Sequence, residues 1–492
     1  MSGKNEQSVR DKRNLIFYPF GTVGRDMMYS LFTNFILLYI MYTRNLTNAQ
    51  LGAVTAIMVG ARIFDALNDP IMGNIIERTR TKWGKFKPWL LIGVLSTCVV
   101  VYLAFNSNLE GWNFIIFFGV IYFMYSITYT MHDISYWGMV PALGSDGDQR
   151  NKFTARATLF AGIGGTLASV LIPVLTTGEF ALGGNAKTAY GRIALIICIL
   201  TPLFICFPLF GVNENRDDMD KPAPKVSFKK ICSTIFGNDQ LLWISLIFLI
   251  QQIGNGLVLG GVGSNYIYFE FGYEGGLYST FTTVGMAATA FLMVFYPAIS
   301  RKIHRKKLVT IMGITATIGY VIQLGAGIIM PATMVKFWIL TVGFMMSNFG
   351  QYGLYLIMMI SIINTVEYNE LTKGTRDEAI ITSMRPFLTK LASSFTVIIT
   401  SVTYIIARVT NYTNKISDLE TAAEQGLISG EAKAGEIASV IASVATSQKN
   451  GLLLAMTVLP CILMLVSCIL YHKFYKLDED RYNEIVRELE KK

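Results

Sequence analysis

Charged residues are scarce in this chain of 492 residues. Asp, Glu, Lys and Arg make up 15 % of it, against about 25 % in an ordinary soluble domain, whereas apolar side chains reach 52 % without counting the 43 glycines. This composition argues against a water-soluble single-domain enzyme.

Cysteine pairs and the common catalytic motifs are also missing. The six cysteines show no CxxC spacing and most lie in apolar runs, which argues against a disulfide scaffold or a zinc module. The absence of GxxxxGK[ST] argues against an ATP-driven pump, and the absence of HExxH and GxSxG leaves the usual membrane hydrolases without support. We therefore expect neither an enzyme nor a bound cofactor.

Long apolar runs are abundant instead. About twelve are long enough to cross some 30 Å of hydrocarbon, which takes about 20 helical residues. Their limits are 14–43, 49–76, 88–106, 112–142, 153–177, 193–211, 240–269, 275–300, 308–328, 337–366, 378–407 and 450–472. The predicted fold class is all-α and integral to the membrane, with twelve transmembrane helices.

The distribution of Lys and Arg predicts the orientation of these helices. With the N-terminus in the cytoplasm, the inner segments hold 29 of the 42 basic residues and the outer loops hold 8. Both termini are therefore predicted to be cytoplasmic, in a multi-pass protein of the cell membrane. The net charge of +9 is then mostly a signal of topology, so nucleic-acid binding is not needed to explain it.

The helices divide into two sets of six. A polar stretch, Val212–Lys230, separates them, and similar basic loops follow the second helix of each set, Glu77–Trp89 and Ser300–Lys307. This repeat suggests a major facilitator fold with its substrate site between the halves. The predicted domains are an N-terminal half (1–211), a central loop (212–239), a C-terminal half (240–472) and a helical tail (473–492). The C-terminal half includes an outer loop (410–449) with one short helix near 430–446.

Ionisable residues inside the spans mark candidate sites, because a charge in hydrocarbon is costly. Asp65, Asn68 and Asp69 stand at i, i+3 and i+4, so they share one face of helix 2. Two carboxylates and an amide oxygen suit a hard cation, and a bare carboxylate pair would hold a proton. Either outcome describes a cation-coupling site. Pro70 is expected to bend this helix.

Helix 4 carries a second pattern. Thr130, Asp133 and Trp137 lie on one face, and a carboxylate beside an indole suits a sugar, whose hydroxyls need acceptors and whose C–H face packs on an aromatic ring. Asp26, with Arg25, offers a third polar group from helix 1. His132, which precedes Asp133 in the sequence, points away from this face of helix 4. We expect it to pack or pair with other residues rather than to relay protons.

Several segments together carry a resemblance to one family, the glycoside–pentoside–hexuronide:cation symporters, over about Phe17 to Phe474. They are VGRDMMYS, ARIFDALNDPIMG, TRTKWGKFKPWLLIG, TYTMHDISYWGMVPAL and VEYNELTKGTRDEAIITSMRPFLTKLASS. Two departures, Glu77 for a common Asp and Ser135 for a common Pro, remove no expected cation ligand. The resemblance implies sodium ligands at Asp65, Asn68, Asp69 and Thr130, sugar contacts at Arg25, Asp26, Asp133, Trp137 and Arg156, and a coupling lysine at Lys390.

The expected function is inward symport of a small glycoside with Na⁺ by alternating access, with Lys390 facing the four buried Asp residues across the cavity. Asp26 favours a neutral galactoside over an acidic sugar, and Lys85 and Lys87 are candidate inner-gate partners of Glu367 or Glu370. Proton coupling, with another glycoside, pentoside or hexuronide, is the alternative within the class. A membrane sugar sensor that does not transport is the alternative outside it, although the short tail offers no room for a signalling domain. Nothing in the sequence sets the oligomeric state, and a monomer is compatible with it.

Overall fold

The computed structural model describes residues 2–143, 147–213, 228–300 and 302–491, which form helices almost throughout. Half of the predicted central loop, residues 214–227, lies outside the described residues. Contacts divide the chain into unit 1 (Met1–Ala223, Tyr273–Ser279 and Thr410–Ser443) and unit 2 (Pro224–Gly272, Thr280–Val409 and Val444–Lys492).

The first seven helices precede residue 214. They are α1 (Ser2–Thr43), α2 (Asn48–Arg78), α3 (Lys87–Phe105), α4 (Gly111–Gly138), α5 (Val140–Leu143), α6 (Gly147–Thr176) and α7 (Ala186–Gly211).

Twelve more follow. They are α8 (Phe228–Gly237), α9 (Asp239–Leu257), α10 (Gly263–Phe271), α11 (Gly275–Ser300), α12 (Arg305–Ile329), α13 (Met334–Ile363), α14 (Thr365–Lys373), α15 (Glu378–Ile406), α16 (Thr410–Glu424), α17 (Gly430–Ala442), α18 (Thr446–Phe474) and α19 (Glu479–Glu490). A turn of π-helix, Val258–Val262, joins α9 to α10.

All twelve predicted spans fall on helices, so the all-α membrane fold is confirmed. Within the described residues ten helical segments are long and apolar enough to cross a membrane, and α2 makes eleven if its two bent parts count as one span. Helix α1 carries the first predicted span. Arg25 and Asp26 interrupt its apolar sequence.

Helix α2 shows how local sequence shapes the region around the predicted cation ligands. It begins with a capping box, in which the Thr47 hydroxyl accepts from the Gln50 N–H and the Gln50 side chain accepts from the Thr47 N–H. It bends by 41° between Asp65 and Asn68. Pro70 accounts for this bend, because its ring clashes with the carbonyl four residues earlier and it has no N–H to donate.

Glycines let the helices of unit 1 approach closely. A Cβ at Gly24 of α1 would lie 2.6 Å from the Cα of Thr201 on α7, and a Cβ at Gly93 of α3 would lie 2.6 Å from the backbone nitrogen of His132 on α4. Both positions therefore require glycine for steric reasons. They fix α1 and α4, which carry most of the candidate site.

The outer segment, residues 410–443, belongs to unit 1, although the sequence grouped it with the C-terminal half. It also contains two helices, α16 and α17, where one was predicted. The carboxamide of Asn414 exchanges two hydrogen bonds of 3.0 Å with the backbone of Leu46. The buried Glu420 carboxylate accepts from the Ala186 N–H at 2.8 Å and from Lys433 at 3.1 Å. These long-range contacts hold the segment on unit 1.

The predicted tail helix is present as α19 and forms part of unit 2. Its Ile485 is fully buried in the hydrophobic core of that unit. Asp478, just before the start of α19, pairs with Lys306 at 3.0 Å. Glu479, its first residue, pairs with Arg305 at 3.4 Å. The basic loop that the sequence singled out at 300–307 is therefore partly neutralised by the tail.

Candidate functional site

Arg25 lies at the centre of the first cluster of predicted site residues. Its guanidinium donates to Asp26 at 2.7 Å and to Asp133 on α4 at 2.8 Å. The Arg25 side chain is only 5 % exposed, whereas those of Asp26 and Asp133 are 21 % and 36 % exposed. The buried arginine thus holds two carboxylates that retain accessible surface, and these can accept hydrogen bonds from hydroxyl groups of a ligand.

Trp137 completes this cluster. The guanidinium carbon of Arg25 lies 5.0 Å from the centre of the Trp137 ring and 5.5 Å from that of Tyr136. A cation over an indole is attracted by the negative face of the ring, which fixes the orientation of Trp137. The four residues predicted for sugar contacts on helices 1 and 4 therefore lie together.

The second cluster joins α2 and α4. Thr130 donates to Asp69 at 3.1 Å, Ser126 donates to Asp65, and the Asn68 amide lies 3.5 Å from the Ser126 carbonyl. All four residues predicted as cation ligands are thus brought together. Carboxylate, amide and hydroxyl oxygens of this kind are the ligands that hard cations take.

Ser126 is a member of this cluster that the sequence analysis missed. It lies four residues before Thr130, on the same face of α4, so helical spacing was the signal that could have found it. The other neighbour of Asp65 is Arg62, whose guanidinium lies 3.7 Å away, one turn earlier on α2. The Asp65 carboxylate therefore already faces one cationic side chain.

The two clusters are adjacent because α4 contributes to both. Thr130 belongs to one and Asp133, less than one turn further on, belongs to the other. Together the clusters contain four carboxylates and two guanidinium groups, a formal charge of −2. This net negative charge favours the binding of a cation.

His132 lies between them in sequence but takes no part in either cluster. Its imidazole is fully buried, with the ring edge-on to Tyr129 at 4.7 Å and with no hydrogen-bond partner on either nitrogen. This arrangement fits the packing interpretation of His132.

Two further predicted residues lie on other helices, Arg156 on α6 and Lys390 on α15. Arg156 is exposed and donates to the Leu15 carbonyl at 3.3 Å. Leu15 precedes Arg25 by ten residues, which is about 15 Å along α1. Lys390 lies on α15 in unit 2, half-buried, where its carbonyl accepts from Ser393 at 2.6 Å. Their roles in sugar binding and coupling stay predictions.

The candidate gate residues each have partners within their own unit. Lys85 pairs with Glu77, and Lys87 donates to the Val212 carbonyl at 2.6 Å. In unit 2, Glu367 and Glu370 both pair with Arg376, at 3.0 and 2.9 Å. The predicted inner gate stays a prediction.

The helical fold is that of major facilitator transporters. It matches the inward-facing, unoccupied crystal structure of a bacterial homologue of the human lysosomal transporter Spinster with a TM-score of 0.61 and 10 % identity, covering 95 % of this chain and 98 % of that one. This likeness shows the fold of the chain.

Residues 17–479 match the family described as MFS/sugar transport protein, and the chain belongs to that family. It is 27 % identical to the lactose permease of Leuconostoc lactis and 27 % identical to the raffinose carrier protein of Pediococcus pentosaceus. Each alignment covers 97 % of this chain and 71 % of the relative. The resemblance read from the sequence motifs is thus confirmed: the protein is a multi-pass sugar transporter of the symporter type, not an enzyme.

Proposed function

We propose that this protein carries a neutral galactoside across the membrane together with Na⁺. The observation that supports this most directly is the convergence of Asp65, Asn68, Asp69 and Thr130 beside a carboxylate–indole cluster. The relatives named above transport lactose and raffinose, both of which contain a galactosyl unit, and this favours a galactoside here.

Na⁺ is favoured over H⁺ as the coupling ion by the chemistry of the ligands. The hydroxyls of Ser126 and Thr130 donate to the two carboxylates, an arrangement that suits ionised acids. A sodium ion needs several oxygen ligands at once, and the carboxylate and hydroxyl oxygens of this cluster can supply them together. A proton would need only one carboxylate.

Sugar and ion are coupled through α4 in this proposal. A cation bound at Thr130 would fix the turn that carries Asp133, and so improve the geometry of the sugar contacts. By linkage, the sugar must then raise the affinity for the cation by the same factor.

The test is uptake into proteoliposomes with labelled lactose, melibiose, raffinose, xylose and glucuronate. We expect an inward Na⁺ gradient to drive accumulation of at least one galactoside, with no accumulation when K⁺ replaces Na⁺. Accumulation driven by a pH gradient alone would favour the proton alternative. Binding of sugar without any uptake would favour the sensor.

A further inference from the structure

A cleft of about 700 Å³ opens on the surface of unit 2 between α12 and α18. Its walls are the side chains of Ile314, Ile318, Leu465 and Ile469, each at least 40 % exposed. Both helices are long and apolar enough to cross a membrane, so this cleft opens towards hydrocarbon. A volume of this size matches that of ordinary ligand sites.

Small residues form the floor of the cleft. Gly313 of α12 faces Cys468 of α18, and a Cβ at Gly313 would lie 3.2 Å from the cysteine sulfur. The two helices therefore meet closely at these positions, while larger aliphatic side chains project on either side. The result is a furrow rather than a flat helical surface.

One end of the cleft is polar and basic. Thr310, His472 and Lys473 line it there. The two imidazole nitrogens lie 2.8 Å from the Cys468 carbonyl and 3.1 Å from the Thr310 hydroxyl, so the ring ties the last turn of α18 to the start of α12. The exposed Lys473 ammonium lies 5.3 Å from the centre of the Phe474 ring.

More positive charge lies in the chain next to this end. Lys302 and Lys307, on either side of the start of α12, and Lys476, just after α18, are all exposed. Lys306 is partly neutralised by Asp478 at 3.0 Å. An apolar furrow with a basic end at the predicted cytoplasmic face is complementary to one amphiphile, a lipid whose headgroup is negatively charged.

We propose that this cleft binds one anionic phospholipid. An acyl chain lies along the furrow over Gly313, and the phosphate lies at the polar end, where the Lys473 ammonium can donate to its oxygens. Acyl chains cover any apolar surface in a bilayer, so the distinguishing feature is the preference for a negative headgroup. The proposal does not depend on which sugar or ion the protein carries.

The test is native mass spectrometry of the full-length protein, released from nanodiscs that contain equal amounts of phosphatidylglycerol and phosphatidylcholine. We expect the wild type to retain one phosphatidylglycerol in preference to phosphatidylcholine. Lys473→Gln should lower that preference about fivefold, the effect of one basic residue near an anionic surface, and Lys473→Arg should restore it. Lys415→Gln is the matched control, since Lys415 is also exposed beside an aromatic ring but lies in unit 1.

A second pair of variants tests the furrow itself. Ile318→Trp should fill it and reduce retention of phosphatidylglycerol, whereas Val321→Trp, one turn further along α12 and outside the cleft, should not. Soluble glycerol phosphate should not displace the lipid. The proposal is overturned if the wild type shows no preference for phosphatidylglycerol, if the controls lose as much as the cleft variants, or if glycerol phosphate alone competes.

Discussion

One set of charged groups in each unit can be compared by its depth along the helices. In unit 1, Arg25, Asp26, Asp65 and Asp69 lie well inside long helices. In unit 2, the Lys336–Glu270 pair joins the third residue of α13 to the last turn of α10, and Lys449 adds a contact of 3.4 Å to Glu270 near the start of α18.

This difference separates two uses of charge in a membrane protein. A paired charge at a helix end, such as Lys336 with Glu270, ties neighbouring helix ends together. A charge in the middle of a span is costly, so it persists where it serves binding or coupling. Mutations at the two depths should therefore have different consequences.

The largest expected effect is at Asp69. Asp69→Cys removes one carboxylate of the four residues proposed to bind Na⁺ and should abolish Na⁺-stimulated uptake, while sugar binding survives at reduced affinity. Glu270→Gln is the control from unit 2, and it should lower thermal stability without changing the Na⁺ dependence. Normal Na⁺-driven accumulation by Asp69→Cys in proteoliposomes would disprove the proposed ion site.

Lys390 tests whether unit 2 also places a functional charge in mid-span. Lys390→Val should uncouple sugar movement from the Na⁺ gradient, because an ammonium that competes with Na⁺ for carboxylates is lost. Second-site suppressors that neutralise Asp65, Asp69, Asp133 or Asp26 would support pairing between the units. Fully coupled transport by Lys390→Val would contradict it.

A charge pair in the outer segment is buried although it lies outside the spans. Burial raises the pKa of the Glu420 carboxyl above its ordinary value, and Lys433 and the Ala186 N–H offset this only in part. Lys433→Met should destabilise the packing of the segment by about 3–5 kcal/mol at neutral pH, because it leaves a buried carboxylate without its counter-ion.

The readout is limited proteolysis of the linker between α16 and α17. The protease sensitivity of Lys433→Met should decrease as the pH falls, since a protonated Glu420 needs no counter-ion. Glu420→Gln should partly restore the protease resistance of Lys433→Met. Lys187 pairs with Glu424, and both side chains are more exposed than those of Lys433 and Glu420. Lys187→Met should therefore destabilise the packing of the segment by only about 0.2–1 kcal/mol. Equal protease sensitivity of both lysine variants would refute the distinction.

The sugar cluster should give intermediate effects. Asp26→Asn and Trp137→Ala should each weaken galactoside binding about ten- to a hundredfold, or about 1.5–3 kcal/mol, with Na⁺ binding retained. Isothermal titration with each ligand measures both. Arg156→Gln decides whether that residue contacts sugar, as the family resemblance implies, or only holds Leu15. Parallel loss of both ligands in Asp26→Asn would indicate misfolding instead.

A cross-link between the outer segment and the rest of unit 1 is expected to have no effect on uptake. Asn45 donates to Asp418 at 2.6 Å, within unit 1. If the outer segment moves with unit 1 during transport, a disulfide between Asn45→Cys and Asp418→Cys should leave uptake unchanged relative to the two single variants. Uptake that is blocked by the disulfide and restored by reductant would show that the segment must part from unit 1.

Much of the site could be predicted because its geometry is local. Residues at i, i+3 and i+4 of a helix share a face whatever surrounds it, so the grouping of Asp65, Asn68 and Asp69, and that of Thr130 and Asp133, follows from sequence alone. Ser126 obeys the same rule but was missed, since hydroxyl residues are common in spans and spacing does not show which ones face a carboxylate.

The sequence by itself determined the all-helical membrane fold and the faces of α2 and α4, because hydrophobic length and helical periodicity are properties of neighbouring residues. Only the tertiary structure decided that Arg25 joins Asp26 to Asp133, that Arg156 donates to Leu15, and that residues 410–443 pack on unit 1. Each of these depends on contacts between residues about 100 or more positions apart in the chain. No local pattern encodes which such contacts form, because they depend on how whole helices pack.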